Sequence, residues 1–220
     1  MTERTKMKYT DVIWDFNGTI LDDVAAGIAS VNKMLADRSL PIIEDEEHYR
    51  RVFRFPIIEY YRSLGFDFDA EPYSVLAPIW VEEYLKNSKS SPIREGFAEA
   101  FEYFRKCGCR QYVLSATELN MLKNQLSELG IAHLFDGVYG LGNIHAHSKT
   151  ELAISWRREH PEAKTLFIGD TEHDHDTAVA MSADCALVCG GHQDRAKLEA
   201  CEGARVYESF DELCRALDEA

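Results

Sequence analysis

Asp15-Phe16-Asn17-Gly18-Thr19 follows directly on the apolar run Val12-Ile13-Trp14. A carboxylate at the end of a buried strand, turned sharply by an Asn-Gly pair, suits a nucleophile held at the mouth of an α/β sheet. Chemically capable groups recur at comparable places later in the chain. Ser115-Ala116-Thr117 ends a second apolar run, Lys149 starts a helix, and Gly169-Asp170-Thr171-Glu172-His173-Asp174 ends another run. A nucleophilic carboxylate, a hydroxyl, an ammonium and further carboxylates make a phosphoryl-transfer set. In that set Asp15 accepts the phosphoryl group and Lys149 neutralises it. Ser115 and the groups around Ala116, Gly18 and Thr19 bind its oxygens. The hard oxygens of Asp15, Asp170 and Asp174 suit Mg²⁺.

The elements that must position these groups are legible as patterns. Val12–Phe16, Gln111–Ser115, Gly137–Gly140, Thr165–Ile168 and Cys185–Cys189 are short apolar runs bounded by helical segments, as buried parallel strands are. Glu95–Cys107, with Phe97, Ala98, Phe101 and Phe104 as its apolar face, is predicted helical and stops at Gly108. Leu119–Leu129 ends at Gly130. Ser148 opens a helix to His160, with Glu151 placed as in a capping box. The alternation predicts a doubly wound parallel α/β sheet, a Rossmann-like core, with ligands outside the carboxyl ends of the strands.

Far more chain separates the first strand from the second than a crossover helix needs. Residues 22–92 read as helices (Ala25–Asp37, Asp45–Phe53, Pro56–Leu64 and Tyr73–Lys86), returning through the polar hinge candidate Asn87–Pro92. The expected organisation is an α/β core of residues 1–21 and 93–220 with a helical cap, 22–92, inserted after the nucleophile strand.

Together these motifs resemble the haloacid dehalogenase superfamily, specifically its phosphoglycolate-phosphatase-like branch with a helical cap. That family's Asp-x-Asp-Gly-Thr matches Asp15–Thr19 except at Asn17. Its Ser/Thr, Lys and Gly-Asp…Asp motifs match Ser115, Lys149, and Gly169-Asp170 with Asp174. The resemblance implies an aspartyl-phosphate on Asp15. It places Mg²⁺ on the Asp15 and Asp170 carboxylates and the Asn17 backbone carbonyl, with Asp174 nearby, and phosphate oxygens on Ser115 and Lys149. The implied substrate is a small phosphate ester or anhydride, phosphoglycolate being the family default.

In the family, the aspartate aligned with Asn17 protonates the leaving oxygen and later deprotonates the attacking water. An amide does neither, and such acid–base help is typically worth about 10²–10⁴ in rate. Three readings stay open. Substrates with good leaving groups, acyl or aryl phosphates, need no protonation. His173, His175 or His192 replaces the carboxylate. Or the chain is a catalytically impaired regulatory protein that binds Mg²⁺ and phosphate. A metal-independent dehalogenase is a further alternative, disfavoured by the retained Gly169-Asp170. Deamidation at Asn17-Gly18 would restore an acid, though a rigid turn opposes it.

Other features read more plainly. His145, His147, His173 and His175 invite a zinc site, but hard carboxylates compete with it, so solvated or supporting histidines are expected. Arg54, at a helix–helix turn, is either a surface residue or a cap contact to the leaving group. The aromatic cluster Phe53, Phe55, Tyr60, Tyr61, Phe66 and Phe68 is expected to be cap core rather than a binding cage. Gly140-Leu141-Gly142 lacks the third glycine of a dinucleotide fingerprint, and no P-loop pattern is present.

The 220 residues carry 24 Lys plus Arg against 38 Asp plus Glu, a net charge of −14. That balance disfavours nucleic acid and anionic membranes as partners and repels a phosphorylated substrate at long range, so the small phosphorylated metabolite that the resemblance implies must be held by local cations or a metal. The start lacks a signal peptide's apolar core, and the sparse cysteines form no Cys-x-x-Cys pair, so a cytoplasmic protein with reduced thiols is expected.

Overall fold

β1 (Asp11–Trp14) is buried along its whole length. It sits at the centre of a parallel sheet formed with β2 (Arg110–Glu118), β3 (Gly137–Leu141), β4 (Thr165–Gly169), β5 (Asp184–Val188) and β6 (Arg205–Tyr207). The order β3-β2-β1-β4-β5-β6 reverses direction at β1, the switch point where doubly wound sheets bind ligands. The computed structural model describes residues 7–142 and 148–219. β6 escapes the apolar-run criterion because only three residues, Arg205–Tyr207, form it and the first is charged and exposed.

Between β1 and the next core helix, α5 (Phe97–Lys106), stand α1 (Val24–Asp37), α2 (Glu46–Val52), α3 (Ile57–Ser63) and α4 (Tyr73–Asn87). They bury their own cluster, including Val31, Leu35, Tyr49, Tyr61, Phe66 and Leu76. This segment leaves and re-enters side by side: Leu21 bridges Ile93, and Asp22 N donates to Pro92 O at 2.9 Å. The candidate hinge begins as a 3₁₀ turn, Ser88–Ser90, with Ser88 buried.

The remaining helices are α6 (Leu119–Glu128), α7 (Lys149–Glu159), α8 (Glu172–Ala180), α9 (Arg195–Glu199) and α10 (Phe210–Asp218). Strand alternation decides which face each covers. Val12 and Trp14 point to the cluster of α5, α6 and α10, while Ile13 points to that of α7, α8 and α9. The Trp14 ring meets Phe97, Phe104 and Phe210 edge-on at 5.1–5.8 Å, and its Nε1 donates to buried Gln111 at 3.0 Å. On α5 the buried small residue is Ala100 rather than Ala98, because positions 97, 100, 101 and 104 share one helical face and 98 is turned away from it. Among the described residues, no helix is long and apolar enough to cross a membrane.

Candidate active site

β1 and β4 are neighbours in register, Trp14 opposite Ile168, so the residues that follow them emerge together. Asp15 N donates to Ile168 O at 2.9 Å, which holds Asp15 at the strand mouth, and Asp170 lies fully buried beside it. The first turn of α8 brings back Asp174. Its Oδ2 accepts from Asp170 N (3.1 Å), Thr171 N (2.9 Å) and Thr171 Oγ1 (2.7 Å), an arrangement that satisfies the helix's first amides. Ser148 caps α7 by accepting from Glu151 N, which sets Lys149 at the first helical position. From there the buried Lys149 Nζ donates to both Asp15 Oδ1 and Asp174 Oδ1.

Carboxylate oxygens of Asp15, Asp170 and Asp174 come within 4.8 Å of one another, all buried. Burial and the Asp174 charge push the Asp15 carboxyl up, against the pull of Lys149. Burial also raises Asp170. Asp174 is held below the usual carboxylate range: burial opposes this, and the Lys149 ammonium outweighs it. One ammonium does not balance three carboxylates packed this closely. A clustered, hard, all-oxygen donor set with residual negative charge fits a divalent cation.

Behind the nucleophile, Asn17 is bound on every side. Its Nδ2 donates to Asp23 Oδ2 (2.8 Å) and to Tyr84 OH (2.6 Å), and its Oδ1 accepts from Thr117 Oγ1 (2.7 Å). Asp23, which precedes α1, also accepts from Gly18 N (2.7 Å) and Tyr84 OH (2.6 Å), and pairs with His192 Nε2 at 3.3 Å. His192 completes the chain through Tyr49 OH on Nδ1 (2.8 Å), while its backbone N donates to Asp170 Oδ2 (2.7 Å). Burial alone would lower the His192 pKa, yet the Asp23 carboxylate carries it up to about 9. Burial works against Asp23's charge too, and His192, Tyr84 and Asn17 hold its pKa low. The pair is therefore ionised at neutral pH.

The other site residues read from the sequence fall as follows. Ser115 is buried in β2 and shares a 3.1 Å hydrogen bond with Thr117; the exposed Ala116 reaches the cavity above Asp15. Gly18 N is taken up by Asp23, and Thr19 Oγ1 donates to Asp170 Oδ1 at 2.6 Å, so both support the carboxylates rather than face the cavity. His173 lines the cavity, stacked on Phe55 at 4.6 Å, with its pKa lowered first by burial. His175 turns away to Glu202 O at 2.9 Å. His192 reaches the site with both ring nitrogens engaged. His145 and His147 lie outside the described residues. Arg54 is exposed, donates to Val52 O at 3.1 Å, and is not brought to the cavity. Phe66 sits in the helical core, as expected for the aromatic cluster, but Phe53, Phe55, Tyr60 and Tyr61 wall the cavity as well.

Asp23, Tyr84 and Tyr49 went unread in the sequence. The one available signal was the unexplained second carboxylate of Asp22-Asp23, six residues beyond the unusual amide.

Comparison with known proteins finds relatives along the length of the chain. A family model described as haloacid dehalogenase-like hydrolase matches residues 12–188. A phosphoglycolate phosphatase of Mesorhizobium japonicum is 26% identical over 223 residues, covering 94% of each chain. Among solved structures, a haloacid dehalogenase-like family hydrolase from Streptococcus pneumoniae superposes with TM-score 0.81 at 18% identity, covering 95% of this chain and 98% of that one. CbbY from Rhodobacter sphaeroides, in complex with phosphate, gives TM-score 0.70 at 20% identity over 93% and 96%.

Proposed function

This chain belongs to the haloacid dehalogenase-like hydrolase family, and on that premise we propose that it is a Mg²⁺-dependent phosphatase acting on a small phosphate ester or anhydride through an aspartyl-phosphate. The observation that carries the reading is the buried convergence of Asp15, Asp170, Asp174 and Lys149 at the switch point of the sheet. The 26%-identical phosphoglycolate phosphatase supports the reaction class.

Asp15 attacks phosphorus with a carboxylate oxygen, and the bond to the substrate oxygen breaks with its electron pair leaving on that oxygen. Lys149 stays within reach of the nucleophile and draws negative charge from the phosphoryl oxygens. The Ser115 hydroxyl and the chain at Ala116 border the same space. Water then opens the aspartyl-phosphate, releasing phosphate and restoring Asp15. Asp15, Asp170 and the Asn17 carbonyl would hold Mg²⁺, with Asp174 behind them. The ion supplies charge neutralisation that lets a carboxylate approach an anionic phosphate.

Helices α1–α4 serve as the cap. They roof the cavity, and their contacts with the loop after β5 and with α9 hold the closed arrangement. Arg50 Nε donates to Gly191 O at 2.8 Å, and Lys197 Nζ to the carbonyls of Arg50, Arg51 and Phe53 at 2.7–2.8 Å. Phosphate release from a panel of monoesters, with Mg²⁺ and with chelator, tests the proposal. Asp15→Asn abolishes turnover if the mechanism holds; retained turnover sinks it. Because Asn17 is wholly engaged by its neighbours, a second reading is an impaired Mg²⁺- and phosphate-binding protein. Phosphate binding without turnover of any monoester would select it.

A further inference from the structure

The cavity above Asp15 holds about 470 Å³ and is enclosed by α2, α3 and α4. One end carries Asp15, Lys149, Ser115 and Ala116. Much of the rest of its wall is aromatic: Tyr49, Phe53, Phe55, Tyr60, Trp80 and Tyr84 all line it. Several of these rings present flat, mutually supported faces. Trp80 stacks on Tyr84 at 4.9 Å and 13°, and Phe55 stacks on His173 at 4.6 Å and 28°.

The cations around this cavity are committed elsewhere. Lys149 is held by Asp15 and Asp174, and His192 by Asp23. Arg94, outside it, donates to Gly18 O and Cys189 O, both at 2.6 Å. Among the described residues, Lys149 is the one Lys or Arg in the wall, so no uncommitted Lys or Arg there receives a carboxylate or a second phosphate on the leaving group. A charged leaving group entering here would lose its water with no counter-ion in return.

A second, independent observation concerns the leaving oxygen. The side chain that stands two residues beyond the nucleophile is an amide with both ends bound, and Asp23 behind it is an acceptor saturated by four donors. Neither hands a proton to an alkoxide. A phenolate needs none, because it departs as a stabilised anion.

Resting on the phosphatase reading above, we propose that the substrate is an aryl phosphate monoester, with its ring between the aromatic walls and its phosphoryl group at Asp15. An Asp15 oxygen forms the new bond to phosphorus, the phosphorus–phenolic oxygen bond breaks with its electron pair on the phenolate, and the phenolate takes its proton from solvent. Water hydrolyses the acyl phosphate, giving inorganic phosphate, the Asp15 carboxylate and a proton released to solvent. One further group in the wall adds a preference. Tyr60 is buried, its hydroxyl has no hydrogen-bond partner in the protein, and it lines the cavity, so it donates to an acceptor substituent on the ring.

The test measures kcat and KM of the full chain with Mg²⁺ on phenyl, 2-naphthyl, 4-acetylphenyl and benzyl phosphates, 2-phosphoglycolate and glycerol phosphate, against Asp15→Asn as blank. The aryl phosphates should exceed benzyl phosphate and 2-phosphoglycolate in kcat/KM by about 10²-fold or more. Trp80→Ala should raise KM for 2-naphthyl phosphate more than for phenyl phosphate. Tyr60→Phe should raise KM about 5- to 10-fold more for the 4-acetyl compound than for phenyl phosphate, a split that a general folding defect does not produce. If 2-phosphoglycolate or glycerol phosphate outruns every aryl phosphate, the aryl assignment is wrong and the phosphatase reading survives. Turnover of no monoester above the blank overturns the phosphatase reading itself.

Discussion

Asn17 Nδ2 lies 2.8 Å from Asp23 Oδ2, so the amide that replaces an expected carboxylate is hydrogen-bonded to a carboxylate supplied six residues later. An aspartate at 17 would face Asp23 with like charge. The amide is the residue type that donates to Asp23 and Tyr84 while accepting from Thr117. The substitution thus reads as half of a pair.

Asn17→Asp alone should therefore be destabilising, and more so as pH rises. Two carboxylates sharing one site push one pKa far up, and ionising both costs a few kcal/mol. Thermal melts at pH 5 and pH 8 should show a larger loss of Tm at pH 8, and adding Asp23→Asn should remove that difference. The double variant frees a carboxyl at 17 for proton transfer, so benzyl phosphate turnover should rise by about 10² while phenyl phosphate changes little. Equal effects of the single and double variants would mean that the two positions are independent.

The His192–Asp23 pair predicts a stability decline on the alkaline side. His192 titrates at 6.5 when unperturbed and at about 9 in the fold. A raised pKa means that the folded state holds the proton more tightly. Its stabilisation is complete below pH 6.5 and is lost as pH climbs through 9, a contribution of at most about 3 kcal/mol. Asp23 works in the opposite sense, its contribution fading only in acid. Melts of the wild type and His192→Gln between pH 6.5 and 9.5 should converge with rising pH. Parallel curves would remove His192 from the balance.

Much of this site is visible in the chain because each motif is local. Asp15, Ser115 and Asp170 end apolar runs, and Lys149 follows a capping serine, so strand ends and helix starts predict their convergence without knowledge of the tertiary structure. The partners of Asn17 are not local. Tyr84 reaches it from α4, in a segment whose own pattern says only that it is helical, and Thr117 reaches it from β2, while His192 joins through Asp23 from the loop after β5. Arg54 shows the converse limit, since a helix–helix turn is recognisable in sequence but the direction of its side chain is not. The aromatic cluster was legible as core; that one side of that core walls a cavity depends on how α2–α4 sit over the strands.

Gly18→Ala should weaken metal binding without replacing a carboxylate. Gly18 has φ +73°, and a Cβ there would lie 2.3 Å from Asp170 Oδ2 and 2.5 Å from His192 Cδ2. Both the left-handed backbone and the overlap penalise alanine, at a cost of about 2 kcal/mol or more. The displaced Asp170 should loosen the oxygen cluster, so Mg²⁺ titrated by calorimetry should bind at least about tenfold more weakly. Unchanged affinity would show that Asp170 tolerates the shift.

Lys149→Met separates the ammonium's two tasks, balancing charge in the resting site and meeting the phosphoryl group. Without it, Asp15, Asp170 and Asp174 form a buried anionic cluster with no cation in contact, which should lower the metal-free Tm sharply. A divalent cation then stabilises the variant more than the wild type, because binding to the folded state alone adds stability by mass action, and the freed carboxylates bind it more tightly. Melts in chelator and in 10 mM MgCl₂ (about that concentration suffices for a millimolar site) should show a larger Mg²⁺-induced rise in Tm for Lys149→Met than for the wild type. Turnover in Mg²⁺ should still fall by about 10²–10³, since no mobile ammonium remains to meet the phosphoryl oxygens. A variant that matches the wild type in both melts would mean that Lys149 does not balance these carboxylates, and one that keeps full turnover would remove it from the chemistry.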